Sequence, residues 1–571
     1  MKNKSGLLWI IRNNKKEIPK IVFLSISYMI LALVTTSLAV MTKKAIDAAA
    51  DIAKLAKTHK LTGNISDFKE ILFYCGIILA IIVGRLLLRL LAQSVSIRVQ
   101  ARINMKMRAK LFTQIMAKDY SKINEYHSGE LMNRMTSDIT IISDGVTSIV
   151  PDMLYYITQF IGAFVVLIVF DWRFTLLFLL VGIIVSLVTL LFRGKFKHLH
   201  KEVQSTDGVV RSFFQEAIES LLVVKTFRAE DKFAKKGDEL QEVNFDAKMK
   251  KRRLTILANA GFSFVFNFGY LFALVWCAIK VASSAMTFGT LTAVLQLVGQ
   301  IQTPFVNITK VVPQYYSIIA SAERIMEIEQ IDVEETEEAI DGHKFYDKFD
   351  KASFENIKFN YGRESVLEQG DAEFAKGDFV AIRGISGIGK STLMKMLLGV
   401  FKPQSGAIKL YETDGSYVDA SPDTRSLFSY VPQGNYLFSG TLRENILLIN
   451  PNATDEQIDE ALRISDIYDF VHSLPDGLDT VIGEKGQGIS EGQAQRLAIA
   501  RALISEAPII LLDEATSALD AQTEKRVLDN IKSLGEKTCI IITHKNAALD
   551  VCNKEFVIED KKLSCIGGTN G

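Results

Sequence analysis

Apolar and polar positions change their rhythm part-way along the chain: long uncharged runs crowd the N-terminal half, whereas later runs shorten to four or five residues set among glycines and acids. Runs at 21–41, 71–91, 151–170 and 174–192 each have the length, about 20 helical residues, that crosses a hydrocarbon layer about 30 Å thick. Two more, 254–278 and 289–312, are interrupted by Asn259, Ser263 and Asn267 and by Gln296, Gln300, Thr303, Asn307 and Lys310, yet their length still predicts spans. Six membrane helices are therefore expected. The connections after the second and fourth spans keep helical periodicity, which predicts helices continuing out of the bilayer. Their tips, near 119–128 and 226–235, are placed to touch a cytoplasmic domain.

Lys and Arg near the span ends set orientation, because such charges stay on the cytoplasmic side. Lys2, Lys4, Arg12, Lys15, Lys16 and Lys20 put the N-terminus inside, and Arg98, Arg102, Lys106, Arg193, Lys195, Lys250, Lys251 and Arg252 agree. One loop, 42–70, disagrees: it should be external yet carries Lys43, Lys44, Lys54, Lys57, Lys60 and Lys69. The net charge of +1 gives no basic field of the kind nucleic-acid binders carry, so nucleic acid is not an expected partner. The five cysteines form no CxxC pair and read as reduced packing residues. An acidic stretch, Glu334, Glu335, Glu337 and Glu338, is too charged to bury and reads as a linker.

The later, soluble part is organised around Gly384-Ile385-Ser386-Gly387-Ile388-Gly389-Lys390-Ser391-Thr392, which follows the apolar run 379–382 and precedes a helical pattern. Strand, glycine loop and helix in this order turn successive backbone N–H groups toward one phosphate chain and add a helix N-terminus. Gly384, Ser386, Gly387, Gly389, Lys390, Ser391 and Thr392 are thus expected to bind a nucleoside triphosphate, with Lys390 on the outer phosphates and the Ser391 hydroxyl on Mg²⁺. Downstream, the buried-strand pattern 509–512 ends in Asp513-Glu514, where one carboxylate can hold Mg²⁺ and the next can polarise an attacking water. A second strand, 538–543, delivers His544 to the same sheet edge, in reach of the γ-phosphate.

With these residues in place the chain resembles the ATP-binding cassette exporters, in the form of half-transporters that fuse a six-helix membrane domain to one nucleotide-binding domain. Ile489-Ser490-Glu491-Gly492-Gln493 is similar to the family's signature motif, and Gln433, Ser517-Ala518-Leu519-Asp520 and Tyr361 are similar to further family elements. His127-Ser128-Gly129-Glu130-Leu131 and 219–230 also resemble the family's intracellular loops. The resemblance implies an all-α polytopic membrane domain (1–325), a linker (326–350) and an α/β P-loop ATPase domain (351–571). It implies ATP and Mg²⁺ as cofactors and Glu514 as general base. It further implies that Lys390 and His544 hold the γ-phosphate, that Ser391, Gln433 and Asp513 serve Mg²⁺, and that Tyr361 stacks on adenine. Ser490, Gly492 and Gln493 would act in trans on the ATP of a second cassette, with Asp520 in the ATP site. The implied partners are the lipid bilayer and a second half-transporter, a homodimer ahead of a heterodimer. Two departures stand out: Glu491 replaces the commoner glycine, and Gly483-Glu484-Lys485-Gly486 only partly matches the loop before the signature, with Glu484 the residue placed to touch the membrane domain.

Gln296, Gln300, Thr303, Asn307, Lys310 and Gln314 step by three or four on the sixth span, as do Arg85, Arg89, Gln93, Ser96 and Gln100 on the second. Ionisable groups inside a span usually face protein or water. The stripes give two readings: Arg85 and Arg89 snorkel or pair with acids, or they line a cavity for an anionic or amphipathic cargo such as a drug, lipid or peptide. No protease domain precedes the first span, and no transit-peptide pattern is present, so a bacterial plasma membrane and a cargo without a leader are expected.

Overall fold

The computed structural model describes residues 2–57, 68–362, 364–434, 437–483, 486–535 and 537–566, and the chain divides into two units. One comprises 1–113 and 128–329, the other 114–127 and 330–571.

Helices dominate the first unit: α1 (Lys2–Asn13), α2 (Ile18–Lys57), α3 (Lys69–Met116), then, after the short α4 (Tyr120–Ile123) of the second unit, α5 (Ile139–Phe170), α6 (Trp172–Glu219), α7 (Leu221–Thr226), α8 (Glu230–Ala282) and α9 (Phe288–Gln330). All six apolar runs lie within long helices. Among the described residues α2, α3, α5 and α8 are long and apolar enough to cross a membrane. At 53 residues, α8 is about 80 Å long, well over twice the hydrocarbon thickness, so the expected continuation of the helix beyond a bilayer is present. Small residues let the helices approach: a Cβ on Gly162 of α5 would lie 3.3 Å from Thr36 Oγ1 of α2, and one on Gly145 would lie 1.7 Å from Ile318 Cδ1 of α9. Ala39, Ala163, Leu167, Phe174, Ala273 and Leu297 pack into one core from five helices.

Polar cross-links complete this unit. Buried Glu17 accepts from Lys20 (2.7 Å) and Lys106 (2.8 Å), fixing the chain between α1 and α2 against α3. The two lysines offset the cost of taking its charge out of water. At the opposite ends of the spans, Asp171 caps α6 and accepts from Trp276 Nε1 (2.9 Å) and Lys280. On the cytoplasmic extension a π-helical turn, 134–138, ends in Asp138, which accepts from Ser321 Oγ (2.9 Å) and Arg324 Nε (2.8 Å) of α9.

Among the described residues the second unit carries three sheets, the smallest a two-stranded pair of 440–441 with 481–482. β1 (Phe349–Tyr361) pairs antiparallel with the strands Glu364–Leu367, Ala372–Ala375 and β3 (Ser405–Glu412). The main sheet runs, from the short Gln369–Gly370 strand, β8 (Lys562–Ile566), β7 (Lys554–Glu559), β2 (Phe379–Arg383), β6 (Thr538–Ile542), β5 (Ile509–Asp513) and β4 (Phe428–Val431). β7, β2, β6, β5 and β4 are parallel. β5 and β6 are buried at every position, as their unbroken apolar runs predict for strands covered on both faces. α10 (Lys390–Leu397), α11 (Glu491–Ile504) and α12 (Ala521–Lys532) belong to this unit.

The acidic stretch is held here: Glu334 forms a two-pronged pair with Arg425 (2.8 and 2.6 Å), and the Glu337 N–H donates to Asp423 (3.1 Å). The first cytoplasmic tip also belongs to this unit. Asp119 caps α4 by accepting from the Ser121 N–H (2.8 Å), its own N–H donates to the Asp332 carbonyl (3.1 Å), and the Tyr120 ring lies 6.4 Å from Phe401. The second tip, α7 with Phe227, stays in the first unit and exposes Leu222 and Phe227 by 79% and 77%. All five cysteines are free; Cys75 and Cys565 are exposed, so packing explains only the other three.

Within the Asp138–Arg324 pair the carboxylate is the buried member, at 2% against 42% exposure. Arg324→Ala, which strands that buried charge, is expected to cost about 3–5 kcal/mol. Asp138→Ala frees a guanidinium that can rehydrate and should cost about 1–3 kcal/mol. Thermal unfolding of the purified full-length chain should rank the two variants in that order.

Candidate functional site

The glycine loop leaves β2 and enters α10, and the conformations it needs are those glycine tolerates. Gly387 (φ +81°) faces open space where a Cβ would stand, so its backbone angle alone calls for glycine, whereas at Gly389 (φ +109°) a Cβ would also sit 2.2 Å from Val366 Cγ1. Lys390, 5% exposed, donates to the Gly384 (2.8 Å) and Ile385 (3.1 Å) carbonyls and lies 3.1 Å from His544 Nε2. Burial lowers its pKa, against the opposing charges of Glu514 and Asp513.

β5 brings Asp513 to the loop. Ser391 Oγ donates to one carboxylate oxygen (2.9 Å) and Tyr430 OH to the other (3.0 Å), while burial pushes its pKa up against those two hydrogen bonds. Glu514 follows in the left-handed region (φ +51°), uncommon for a side chain of this size. Its carboxylate accepts from Gln433 Nε2 (2.7 Å). Tyr361 reaches the same place through Thr392, the two hydroxyls being 3.0 Å apart. Thus Tyr361, Lys390, Ser391, Thr392, Gln433, Asp513, Glu514 and His544 converge on the ends of β2, β5 and β6.

The remaining predicted residues form a second group. Ser490 and Gln493 make a capping box at the start of α11: the Ser490 N–H donates to Gln493 Oε1 (2.8 Å) and the Gln493 N–H to Ser490 Oγ (3.3 Å). Glu491, in the first turn, is exposed. Gly492 packs on the next loop, where a Cβ would meet the Ala518 carbonyl at 3.3 Å. Asp520 caps α12, accepting from the Gln522 (3.1 Å) and Thr523 (2.9 Å) N–H groups, which lower its pKa. Among the described residues no hydrogen bond joins this group to the glycine loop. Glu484 lies outside the described residues.

Three supports escaped the sequence reading. Tyr430 orients Asp513; its place beside Gln433 was the only signal. Gln495, 3% exposed, donates to Ser517 Oγ (2.9 Å) and accepts from the Ala518 N–H (3.0 Å), holding the 517–520 loop to α11. Lys545, next to His544, donates to the Thr516 (2.9 Å) and Leu519 (2.5 Å) carbonyls from the other side.

In the membrane unit, Arg85, Arg89 and Gln296 are exposed, and the Lys310 side chain lies outside the described residues. Gln300 faces α2, accepting from Thr36 Oγ1 and donating to the Thr35 carbonyl (both 3.1 Å). The Asn307 amide turns back on the Thr303 carbonyl (3.1 Å). The polar stripe of α9 therefore splits between holding helices together and facing outward.

A hydroxyl, a carboxylate and an amide in this arrangement fit Mg²⁺, which takes hard oxygen ligands and completes its octahedron with phosphates and water. Ser391, Asp513 and Gln433 would hold it, and bound there it would neutralise charge on the β- and γ-phosphates. With a nucleotide bound, Lys390 would bring its ammonium to the outer phosphate, and Glu514, held by Gln433, would be the carboxylate to take a proton from water. Tyr430→Phe, by removing one donor from a 1%-exposed carboxylate, should weaken Mg²⁺-dependent nucleotide binding about five- to tenfold. Fluorescent-ATP titration of the full-length chain should show Mg²⁺-free binding unchanged.

Residues 21–305 match the ABC transporter transmembrane region family and residues 367–517 the ABC transporter family. A probable ABC transporter ATP-binding/permease protein of Haemophilus influenzae is 28% identical over 518 residues, 88% of this chain and 91% of its own length. An ATP-dependent lipid A-core flippase of Desulfotalea psychrophila is 28% identical over 80% of each chain. ABC transporter B family member 1 of Dictyostelium discoideum is 29% identical, and the match spans about half, 51%, of its length. In fold, the chain is similar to a bacterial Atm1-family ABC exporter with ATP bound, at a TM-score of 0.76, covering 97% of this chain and 95% of that one, at 23% identity. A helical membrane unit joined to a glycine-loop ATPase, matched in both parts, places the chain among the ABC transporters, as an exporter-type half-transporter that couples ATP hydrolysis to transport.

Proposed function

We propose that the chain exports, or flips outward, an amphipathic molecule by alternating access, working as a dimer of half-transporters in a bacterial plasma membrane with the ATPase domain in the cytoplasm. One observation carries the dimer: the phosphate-gripping group and the α11 N-terminus share one domain, yet no hydrogen bond joins them among the described residues. An anion is well placed at a helix N-terminus, so a second cassette supplies Ser490, Gly492 and Gln493 to the ATP gripped by the first. The exposed apolar tip, Leu222 and Phe227, supports the same reading, since six-residue α7 has too little surface of its own to cover it. The lysines and arginines at the span ends support the orientation. The lipid A-core flippases among its relatives support an amphipathic cargo.

Glu491 favours a second arrangement. A carboxylate in the first turn of α11 suits the helix dipole but repels a γ-phosphate arriving at the same N-terminus. A partner half-transporter without that acid would provide the faster site, making a heterodimer.

The test is ATP hydrolysis by this chain alone in lipid vesicles. The wild type should hydrolyse ATP, Glu514→Gln should bind ATP and not turn it over, and Glu491→Gly should raise turnover about threefold to tenfold. A silent, folded wild type whose activity returns only with a second half-transporter would replace the homodimer by the heterodimer.

A further inference from the structure

Away from the ATPase, one cluster holds opposite charges without pairing them. Asp152 is half-buried near the start of the third span on α5, and among the described residues its carboxylate has no hydrogen bond and no ion pair. Tyr155 and Tyr156, three and four residues on, share its helix face. Across the interface, Tyr28 of α2 meets the Tyr155 ring edge-on, with centroids 6.4 Å apart and planes at 84°, and Tyr155 lies 5.5 Å from Tyr156. Asp152 is within electrostatic reach of the Tyr28 and Tyr156 hydroxyls, and Arg89 of α3 is within reach of Tyr28. Arg89 is exposed and likewise has no ion pair among the described residues.

At 1.5 Å per residue these groups lie within about 10 Å of the cytoplasmic ends of their spans. Unpaired charges there are costly, so an acid and a guanidinium acting on the same tyrosine would ordinarily close on each other. Tyr155 and Tyr156 share the acid's helix face, and Tyr28 meets that pair from α2. Ring faces attract an ammonium, and the guanidinium offers a fork of donors that suits a phosphate or carboxylate.

We infer that this cluster is a headgroup site for a zwitterionic amphiphile, its ammonium at Asp152 among Tyr28, Tyr155 and Tyr156, its adjoining anion at Arg89, and its apolar body along exposed Leu86 and Leu90 of α3. The inference narrows the proposed amphipathic cargo and rests on that reading for transport, although binding stands apart from it. Phospholipid headgroups and the ends of an apolar peptide share this chemistry.

The test is equilibrium binding to the full-length protein in phosphatidylglycerol nanodiscs, whose lipid brings no ammonium. The probes are radiolabelled dodecylphosphocholine below its micelle concentration and an apolar zwitterionic tetrapeptide, with dodecyl phosphate and dodecyltrimethylammonium as competitors. At least one zwitterion should bind, and which one does identifies a lipid or a peptide source. Asp152→Asn should weaken it about tenfold, and Asp152→Glu should restore it. Arg89→Gln should weaken the zwitterion but leave competition by dodecyltrimethylammonium unchanged. Binding of neither zwitterion, equal competition by dodecyl phosphate, or an Asp152→Asn variant that binds ATP normally and keeps wild-type zwitterion affinity would overturn the site. ATPase stimulation in the same samples reads export separately: the expected binding pattern without stimulation would remove the export reading and leave the site.

Discussion

Asp513 is the group on which the ATPase geometry depends. A carboxylate at the end of a wholly buried strand keeps its charge only if donors replace the water it has lost. Ser391 and Tyr430 are those donors. One comes from the first turn after the glycine loop and the other from the neighbouring strand, so the same two hydrogen bonds that make the acid tolerable also lock β4, β5 and α10 in register. Beside it, Lys390 stands as the buried counter-charge, 3.1 Å from His544 Nε2. A site so arranged gathers a hydroxyl, two carboxylates, an amide and an ammonium at one sheet edge.

The membrane unit obeys the same rule in a harsher solvent. Where charge enters it, partners come from another helix: Glu17 is met from α3, Asp171 from α8 and Asp138 from α9. Gln300, bound to two threonines of α2, does so with neutral groups. Such links hold helices that small residues have let come close, in a medium where burial of apolar surface gives little preference for one packing over another. Among the described residues Asp152 has no such partner.

Much of the architecture was legible in the residues because two periodicities and a few rigid motifs encode it. Apolar runs of spanning length became helices, five-residue apolar runs became fully buried parallel strands, and the glycine loop fell between strand and helix as its positive-φ glycines require. Less legible was anything that depends on which side of a helix meets a neighbour. The α9 stripe looked like one polar face, yet Gln300 serves a helix contact and Gln296 does not. Glu334 looked too charged to settle, yet Arg425, 91 residues away, was waiting for it.

By itself the sequence determined the two-part plan, the long helices, and the strand–glycine-loop–helix order with its polar side chains, because hydropathy and positive-φ glycines act locally. The tertiary structure decided how those side chains group: the gripping residues with Tyr430 at one sheet edge, the α11 N-terminus with Gln495 and the 517–520 loop in another group, and the first cytoplasmic tip folded into the ATPase unit. It also brought Tyr28 of α2 against Tyr155 and Tyr156 of α5, on the helix face that carries Asp152. Those groupings join residues tens to hundreds of positions apart, and no local pattern specifies them; they follow only once buried polar groups have found their partners.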